Sequence, residues 1–320
     1  MGKVNAPELV TLGETMYCLV PDDSGPLRYI HSFRPRVAGA ESNLAIGLAK
    51  LGRSAAWISR LGNDEFGRHV AGMIRAEGVD LSRVIFDSAH RTGLMFKERT
   101  AGETKVYYYR ENSAASHMAP EDVAEESLAG ARILHLTGIT PVLSQSCADT
   151  VLHAMDLADR LGVRISFDPN IRKRLWRDRD YAPLIGELTL RSHLVMLGLD
   201  EAEAIFGEGE PERVFDRLFG KGRAERAAIK DGANGAWVAD ASGYWKIPPI
   251  PCRCLEPIGA GDAFNAGFLA GCLEGRDVES CGRMGNIAGG LATQVVGDVE
   301  GYPSRETMLA RLEGGSEIFR

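Results

Sequence analysis

The feature that most restricts the fold is an alternation of short aliphatic segments with longer amphipathic ones. Strand-like segments at residues 133–137, 164–168 and 194–197 are each followed by a helix-like segment, and the helix at 144–161 is closed by Gly162. These strands show little alternation of polar and apolar residues, which indicates burial on both faces. The pattern predicts a mainly parallel sheet covered by helices on each side.

The same alternation of strands and helices is predicted in the N-terminal part, with strands at residues 9–13 and 55–61 and helices at 41–51 and 65–77. Further helices are predicted at residues 181–190, 200–206, 211–218, 261–274, 278–295 and 304–312, and further strands at 227–230, 235–239 and 244–247. Because no repeat or low-complexity linker interrupts the chain, we expect residues 1–320 to form a single domain.

One pair of predicted strands departs from this alternation of strands and helices. Residues 92–97 and 104–110 are predicted strands joined by a turn at 99–102, with no helix between them. We predict a small β-sheet outside the main one, formed by about residues 14–37 and 90–115, that serves as a lid or as a dimer surface.

Composition limits the classes of partner and location. The chain has 320 residues, of which 44% are hydrophobic and 25% charged, so it can bury a large core. A net charge of −7 argues against nucleic acid or an anionic membrane as the main partner. Cys252 and Cys254 form only a C-x-C pair, too little for a closed metal site. With no apolar segment typical of a signal peptide or a membrane span, we expect a soluble, cytoplasmic protein.

Residues 256–264, EPIGAGDAF, form a glycine-rich segment that ends in an acidic residue at the start of a predicted helix. Two glycines around one alanine allow a tight bend that turns several N–H groups the same way before a helix. A helix N-terminus favours negative charge, so Asp262 is either a helix cap or a catalytic base. Phe264 replaces the third glycine of a dinucleotide-binding fingerprint, and no Walker-type phosphate loop occurs. Any phosphate chemistry therefore needs another scheme.

This segment resembles the second signature of the ribokinase/PfkB family of carbohydrate kinases. The resemblance implies that Asp262 is the catalytic base and that the preceding loop binds the transferred phosphoryl group. The implied loop donors are the N–H groups of Gly259, Ala260 and Gly261. The family usually carries Asp and Thr at the positions of Glu256 and Ile258.

Residues 38–43, AGAESN, with the RLGNDEFG segment at 60–67, resemble the family's first signature. Gly39 would let a sugar approach the backbone, and Asn43 would donate to and accept from a sugar hydroxyl. A helix entry with polar caps is the alternative interpretation.

Two acidic segments follow predicted strands. Residues 168–172, DPNIR, match a family pattern in which Asn170 reaches the nucleotide phosphates and Arg172 the substrate; the alternative is an exit turn in which Asp168 caps Asn170. Glu203 keeps the acidic position of a motif linked to magnesium, which implies that it orders water on Mg²⁺. A simple acidic residue at a helix start is equally consistent.

Residues 230–236, KDGANGA, resemble the family turn beneath the nucleotide, and a hairpin turn there is compatible with that role. The implied nucleotide contacts are Asn170, Lys230, Gly232, Gly235, Gly259, Gly261 and Asn286. The implied cofactors are ATP and Mg²⁺, and a monovalent cation is left open.

Residues 107–116, YYYRENSAAS, indicate the substrate. On a strand, Tyr108 and Arg110 face the same side, where they could pack a carbon chain and bind an acid group; a dimer contact is the alternative. With residues 297–301, GDVEG, this segment resembles the branch of the family that phosphorylates 2-keto-3-deoxygluconate. The implied substrate contacts are Gly39, Asn43, Tyr108, Arg110, Arg172 and Asp298.

The resemblance covers nearly the whole chain and implies a ribokinase-like three-layer α/β/α fold with a small β-sheet lid. It implies an ATP-dependent kinase of an acidic sugar that forms homo-oligomers through the lid. Two alternatives stay open: another sugar kinase of the family, such as a fructokinase, and a regulator that binds a sugar or nucleotide without catalysis. Gluconate and galactonate stereochemistry are not distinguished.

Overall fold

The structure is a computed structural model that describes residues 6–100 and 103–314. The strands are β1 (Leu9–Leu12), β2 (Met16–Pro21), β3 (Phe33–Ala38), β4 (Ala55–Gly62), β5 (Val84–Asp87), β6 (Leu94–Thr100), β7 (Glu103–Tyr109), β8 (Ile133–Thr137), β9 (Arg164–Asp168), β10 (Leu194–Gly198), β11 (Arg226–Lys230), β12 (Ala236–Asp240) and β13 (Gly243–Ile247). The α-helices are α1 (Ala40–Lys50), α2 (Glu65–Ala76), α3 (Glu125–Leu128), α4 (Gln145–Leu161), α5 (Lys173–Trp176), α6 (Ala182–Leu190), α7 (Leu199–Phe206), α8 (Pro211–Gly220), α9 (Ala260–Leu273), α10 (Val278–Ala292) and α11 (Arg305–Leu312).

The large sheet has the strand order β13-β12-β11-β10-β9-β8-β1-β4-β5. All pairings from β11 through β5 are parallel, whereas β12 and β13 are added antiparallel at one edge. The predicted strands at residues 133–137 and 164–168 are β8 and β9, residue for residue. The prediction of a mainly parallel sheet is confirmed.

The small sheet has the order β3-β2-β6-β7. Its outer pairs are antiparallel and the central pair, β2 with β6, is parallel. The strands predicted at residues 92–97 and 104–110 are present with shifted ends. Ala101 and Gly102, in the turn predicted between them, lie outside the described residues. A separate small sheet is therefore confirmed.

Successive residues of the central strands enter different cores. Leu9 of β1 belongs to a core that includes Leu44 of α1 and Phe268 of α9. Its neighbour Val10 belongs to a second core on the other face, together with Val151 of α4. Side chains of adjacent strand residues point to opposite faces, so helices cover both sides of the sheet. The three-layer prediction is confirmed.

The prediction missed one strand and made one helix too long. Strand β5, at the partly exposed edge of the sheet, was not predicted, because its apolar run spans only Val84–Phe86. The helix predicted at residues 278–295 ends at Ala292. Just beyond that end, the carbonyl of Thr293 accepts from the N–H groups of Leu255 and Glu256. This segment of the chain therefore binds the loop before α9 instead of extending α10.

The packing of α9 on α10 gives the first testable prediction. A Cβ atom at Gly267 would lie 2.4 Å from the carbonyl oxygen of Met284, too close for the two backbones to keep their spacing. Gly267→Ala should lower the free energy of unfolding by about 1–3 kcal/mol. At Gly72, on the exposed side of α2, nothing lies within 4 Å of the Cβ position. Gly72→Ala should leave stability unchanged or raise it by roughly 0.5–1 kcal/mol. Thermal unfolding of both variants tests this, and equal shifts would contradict the packing argument.

Candidate active site

The carboxyl ends of neighbouring parallel strands meet at one edge of the large sheet. Strand β9 ends at Asp168, β10 at Gly198 and β11 at Lys230, and the three strands are adjacent. Helix α9 reaches the same place, since Asn265 donates from Nδ2 to Oδ2 of Asp168 at 2.5 Å. Open parallel sheets bind ligands beyond this edge. The structure thus brings together the polar segments that the sequence placed there.

Asp262 lies in the first turn of α9. Asn43, in the first turn of α1, donates from Nδ2 to Oδ2 of Asp262 at 2.8 Å. Burial raises the pKa of Asp262 to about 7, opposed by the Asn43 hydrogen bond and supported by the negative charge of Asp168. A carboxylate that titrates near neutral pH can accept and release a proton during a reaction.

The loop before Asp262 brings backbone N–H groups and a cation to one place. Gly259, the N-cap of α9, has a φ of 81°, which glycine adopts without strain. The Cβ position of Gly261 lies 3.8 Å from Nζ of Lys230, so the lysine faces the helix N-terminus. The N–H of Ala260 donates to the carbonyl of Pro257 at 3.3 Å. A helix N-terminus beside an ammonium group favours a bound anion.

Lys230 is held by carboxylates at the ends of the strands. Its Nζ donates to Oδ2 of Asp168 at 2.8 Å, while the other oxygen of Asp168 accepts from the N–H of Asn170 at 3.1 Å. Burial by itself lowers the pKa of Lys230, but the charges of Asp168 and Glu201 raise it above its usual value. Asp168 therefore both caps Asn170 and fixes a charged lysine.

Arg110 follows the last residue of β7 and lies over the ring of Tyr108, with 5.8 Å between its Cζ and the ring centre. Its Nε donates to Oε2 of Glu14 at 2.6 Å. Oε1 of Glu14 is buried and has no hydrogen-bond partner among the described residues. Burial raises the pKa of Glu41 above its usual value, although hydrogen bonds from Thr137 and Thr140 and the charge of Arg110 oppose the shift. Tyr108 and Arg110 therefore share a side, as the strand pattern predicted.

Several predicted contact residues also have contacts within the protein. A Cβ at Gly39 would lie 2.4 Å from the carbonyl oxygen of Glu14. Gly235 has a φ of 91°, and its Cβ position is 2.1 Å from the carbonyl oxygen of Ile247. Asn286 donates from Nδ2 to the same carbonyl at 3.0 Å. The fold itself explains these residue types, and their roles toward sugar or nucleotide stay predictions.

The remaining predicted residues differ in exposure. Arg172 and Glu203 are exposed, Gly232 begins a short 3₁₀ turn in the β11–β12 hairpin, and Asp298 is buried. The Asp298 carboxylate accepts from Nζ of Lys97 at 2.7 Å. Substrate binding by Asp298 and Arg172 stays a prediction, as does a role of Glu203 near Mg²⁺.

Four residues at or near this edge were not singled out from the sequence. Asn265 lies three residues after Asp262, a spacing that places both on one helix face and could have identified it. Glu14 follows the end of β1, and Glu201 accepts from the N–H of Gly198 at 2.7 Å at the start of α7. Lys97 has no local signal, because its partners are 159 and 201 residues away.

Comparisons with known proteins agree with this geometry. The model of the "pfkB family carbohydrate kinase" matches residues 6–305. The chain is 36% identical to the 2-dehydro-3-deoxygluconokinase of Bacillus subtilis (strain 168), over 98% of each chain. It is 34% identical to that of Thermoproteus tenax, over 92% of this chain and 91% of the relative.

Two solved structures show the same fold. The PfkB protein from Polaromonas sp. JS666 superposes with a TM-score of 0.87 at 37% identity, covering 95% of this chain and all (100%) of the other. A putative ribokinase II from E. coli, solved in complex with ATP and Mg²⁺, gives a TM-score of 0.89 at 24% identity, covering 96% of this chain and 99% of the other.

A mainly parallel sheet between helix layers, a second small sheet, and an acid at a helix N-terminus define the ribokinase-like α/β class of phosphotransferases. The chain belongs to the pfkB family of carbohydrate kinases. In the described part of the chain, no helix is long and apolar enough to cross a membrane.

The raised pKa of Asp262 predicts how stability depends on pH. The folded state keeps a proton up to about pH 7, whereas the unfolded carboxyl loses it near 3.8, so stability falls as pH rises through this window. Asp262→Asn removes this dependence. Relative to wild type, the variant should therefore gain roughly 1–3 kcal/mol between pH 5 and pH 8. Thermal or urea unfolding at several pH values measures the difference.

Asp80→Asn is the matched control. Partial burial raises the pKa of Asp80, but hydrogen bonds from Ser82 bring it below its usual value. Its effect on stability should stay constant above pH 5. A constant difference between wild type and Asp262→Asn over the same range would contradict the raised pKa.

Proposed function

We propose that the protein transfers the γ-phosphoryl group of ATP to the terminal hydroxyl of 2-keto-3-deoxygluconate, which is 2-dehydro-3-deoxygluconate. The product is the 6-phosphate. The observation that carries the catalytic part is Asp262, which has a pKa of about 7 and is held by Asn43 at the N-terminus of α9. The substrate is supported by Arg110 and by the two relatives of that activity.

Asp262 accepts the proton of the substrate hydroxyl as its oxygen bonds to the γ-phosphorus, and the bond from that phosphorus to ADP breaks. General base assistance of this kind contributes roughly 10²–10⁴-fold. Asn43 orients the carboxylate through its Nδ2, while its Oδ1 is buried with no partner among the described residues. A sugar hydroxyl that donates to Oδ1 would satisfy that oxygen and bring the nucleophile to Asp262.

The loop that precedes Asp262 binds the phosphoryl oxygens. The N–H groups of Gly259, Ala260 and Gly261 surround the N-terminus of α9, where the helix dipole favours negative charge. The N–H of Ala260 donates to the carbonyl oxygen of Pro257 at 3.3 Å, and this hydrogen bond must break before the N–H can bind a phosphoryl oxygen. Donors fixed before the reaction stabilise the charge that the transferred group carries in the transition state.

The charged groups at the strand ends fit MgATP. Lys230 adds a cation beside Gly261, where phosphates would lie. No cluster of three or more acidic, histidine or cysteine ligands occurs in the described residues, which suits Mg²⁺ held mainly by phosphates and water. Asn170, Gly232, Gly235 and Asn286 would complete the nucleotide contacts, with Glu203 ordering water on the metal. Mg²⁺ would neutralise charge on the phosphates.

The acid group of the substrate would bind to Arg110 and Arg172. A guanidinium carries five N–H donors, and Glu14 engages only the Nε and Nη2 nitrogens of Arg110. Tyr108 packs beside it and would contact the carbon chain. Gly39 and Asp298 complete the proposed substrate contacts. This cationic face favours a sugar acid over a neutral sugar.

We also place a homo-oligomer contact on the small sheet. Strand β7 is an edge strand, and the exposed rings of Tyr107 and Tyr109 lie on the face opposite to Tyr108. Aromatic side chains at an exposed sheet edge are typical of protein contacts. A cytoplasmic location fits ATP as a substrate.

A substrate panel tests the proposed function. Wild-type protein with MgATP should release ADP fastest with 2-keto-3-deoxygluconate and much more slowly with fructose or ribose. Asp262→Asn should lose roughly 10²–10⁴-fold in kcat while binding ATP normally by calorimetry. The rate of the wild type should rise with pH through about 7 and level off above it, as Asp262 ionises.

Each other outcome of the panel has a defined meaning. Faster ADP release with fructose or ribose would assign a different sugar kinase of the same family. Release with none of these sugars, but tight binding of one, would favour a regulator without catalysis. Near-normal kcat for Asp262→Asn would remove that residue from the role of base.

Another prediction concerns recognition of the acid. Arg110→Ala should raise the KM for the keto acid by roughly 10- to 100-fold, because a hydrogen-bonded charge pair is lost. The kcat/KM for a neutral sugar should change little. Arg177→Ala is the matched control, since Arg177 pairs with Glu111 on the exposed surface. Equal losses for acidic and neutral sugars would contradict the assignment, and thermal unfolding checks that the variant is folded.

A further inference from the structure

Lys97 is a fully buried lysine that the proposed chemistry does not use. It lies on β6 of the small sheet, and its side chain is 0% exposed. Its Nζ donates to Oδ1 of Asp298 at 2.7 Å and to Oε1 of Glu256 at 3.1 Å. These two carboxylates are also nearly inaccessible, at 6% and 4% exposure. Lysines are almost never fully buried unless they are paired, and this one is paired with two carboxylates. We therefore expect a structural role for the cluster.

The cluster lies directly behind the loop that precedes Asp262. Oε2 of Glu256 accepts from the N–H of Gly297 at 3.0 Å. The backbone of Asp298 packs against Gly259, where a Cβ would lie 2.2 Å from the Asp298 carbonyl oxygen. The ammonium group therefore joins the two chain segments that flank Gly259, at residues 256 and 297–298.

Two carboxylates beneath one loop require a cation between them. Without one, their mutual repulsion and the cost of burial would separate them or protonate one. Burial alone lowers the pKa of Lys97, but the charges of Asp298 and Glu256 raise it above its usual value. The ammonium group therefore remains charged at neutral pH. Its fixed position distinguishes it from a dissociable ion.

We propose that Lys97 is a positioning residue whose ammonium group acts as a built-in cation, holding residues 256–261 so that the N–H groups of Gly259, Ala260 and Gly261 face the transferred phosphoryl group. This inference rests on the proposed phosphoryl transfer. Two buried carboxylates at this position would suit a monovalent cation, and Lys97 supplies that charge instead. Activity should consequently be independent of added K⁺ or Na⁺.

Kinetics of Lys97→Met and Lys97→Arg test the proposal. In Lys97→Met, kcat should fall by about 10²-fold, the scale expected when a reacting geometry shifts by about 1 Å. The KM for ATP should stay within about threefold, because the lysine and its two carboxylate partners are not among the proposed nucleotide contacts. Lys97→Arg keeps the charge and should recover most of kcat.

Lys50→Met is the matched control. Lys50 is the last residue of α1, and its Nζ donates to the carbonyl oxygen of Val299, next to Asp298, at 3.0 Å. Its side chain is partly exposed. Its removal should leave kcat unchanged. If Lys97→Met keeps the kcat of the wild type, or if Lys97→Arg is as impaired as Lys97→Met, the positioning role is overturned.

Monovalent ions provide an independent readout. Wild-type kcat in tetramethylammonium buffer should equal that in K⁺ within about twofold, whereas K⁺ or NH₄⁺ should restore part of the activity of Lys97→Met. If the wild-type protein needs K⁺ for activity, the proposal that Lys97 replaces a monovalent cation is overturned.

Hydrogen exchange separates this inference from the proposed function, since it needs no sugar. The amide hydrogens of Glu256 and of residues 258–264 should exchange faster in Lys97→Met than in the wild type or Lys50→Met. If no sugar of the panel is phosphorylated, the proposed function fails. Faster exchange in Lys97→Met would still show that Lys97 holds residues 256–261 in place. Unchanged exchange would overturn the role of Lys97 whatever the substrate.

Discussion

The active-site edge depends on how the fold compensates carboxylates that are removed from water. An ionised carboxylate is costly to bury unless a cation or several donors accompany it. Glu14 has Arg110, and Asp168 has Lys230, each in direct contact. In the described part of the chain, the side chain that donates to Asp262 is the uncharged amide on α1. Burial and the nearby negative charge of Asp168 raise the pKa of Asp262, and the Asn43 hydrogen bond only partly opposes them.

The compensating cations come from different parts of the chain. Lys230 ends a strand of the large sheet, whereas Arg110 and Lys97 belong to the segment that builds the small sheet. Lys97 connects that sheet to the loop before α9, and Arg110 connects it to Glu14 after β1. The small sheet is thus joined by ion pairs to both the proposed phosphoryl site and the proposed sugar site. Closure over a ligand would involve both connections.

Local patterns predicted local features well. Strands β8 and β9 match their predicted bounds because continuous aliphatic runs bounded by polar turns leave little choice. In strand β5 the apolar run spans only Val84–Phe86, too short to distinguish a strand from a loop. The glycine-rich motifs correctly drew attention to residues 259–261, but a glycine pattern alone does not reveal what approaches it. At Gly39 and Gly235 the approaching atoms belong to the chain itself.

Contacts between distant segments could not be predicted from patterns. Asn43 and Asp262 each stood out in a motif, yet the hydrogen bond that joins them spans 219 residues. The change from the usual Asp to Glu256 had no evident reason in the sequence. The structure supplies one, because the longer side chain meets a lysine from the small sheet while its second oxygen binds Gly297.

The glycine contact between α9 and α10 has a consequence for changing the substrate by laboratory evolution. Because the two helix backbones touch at Gly267, substitutions that add bulk there would shift Asp262 together with its helix. The tyrosines of β7, in contrast, lie on an exposed edge whose side chains pack more loosely. Libraries directed at that strand, with the helix pair held constant, should yield altered sugar preference while preserving turnover.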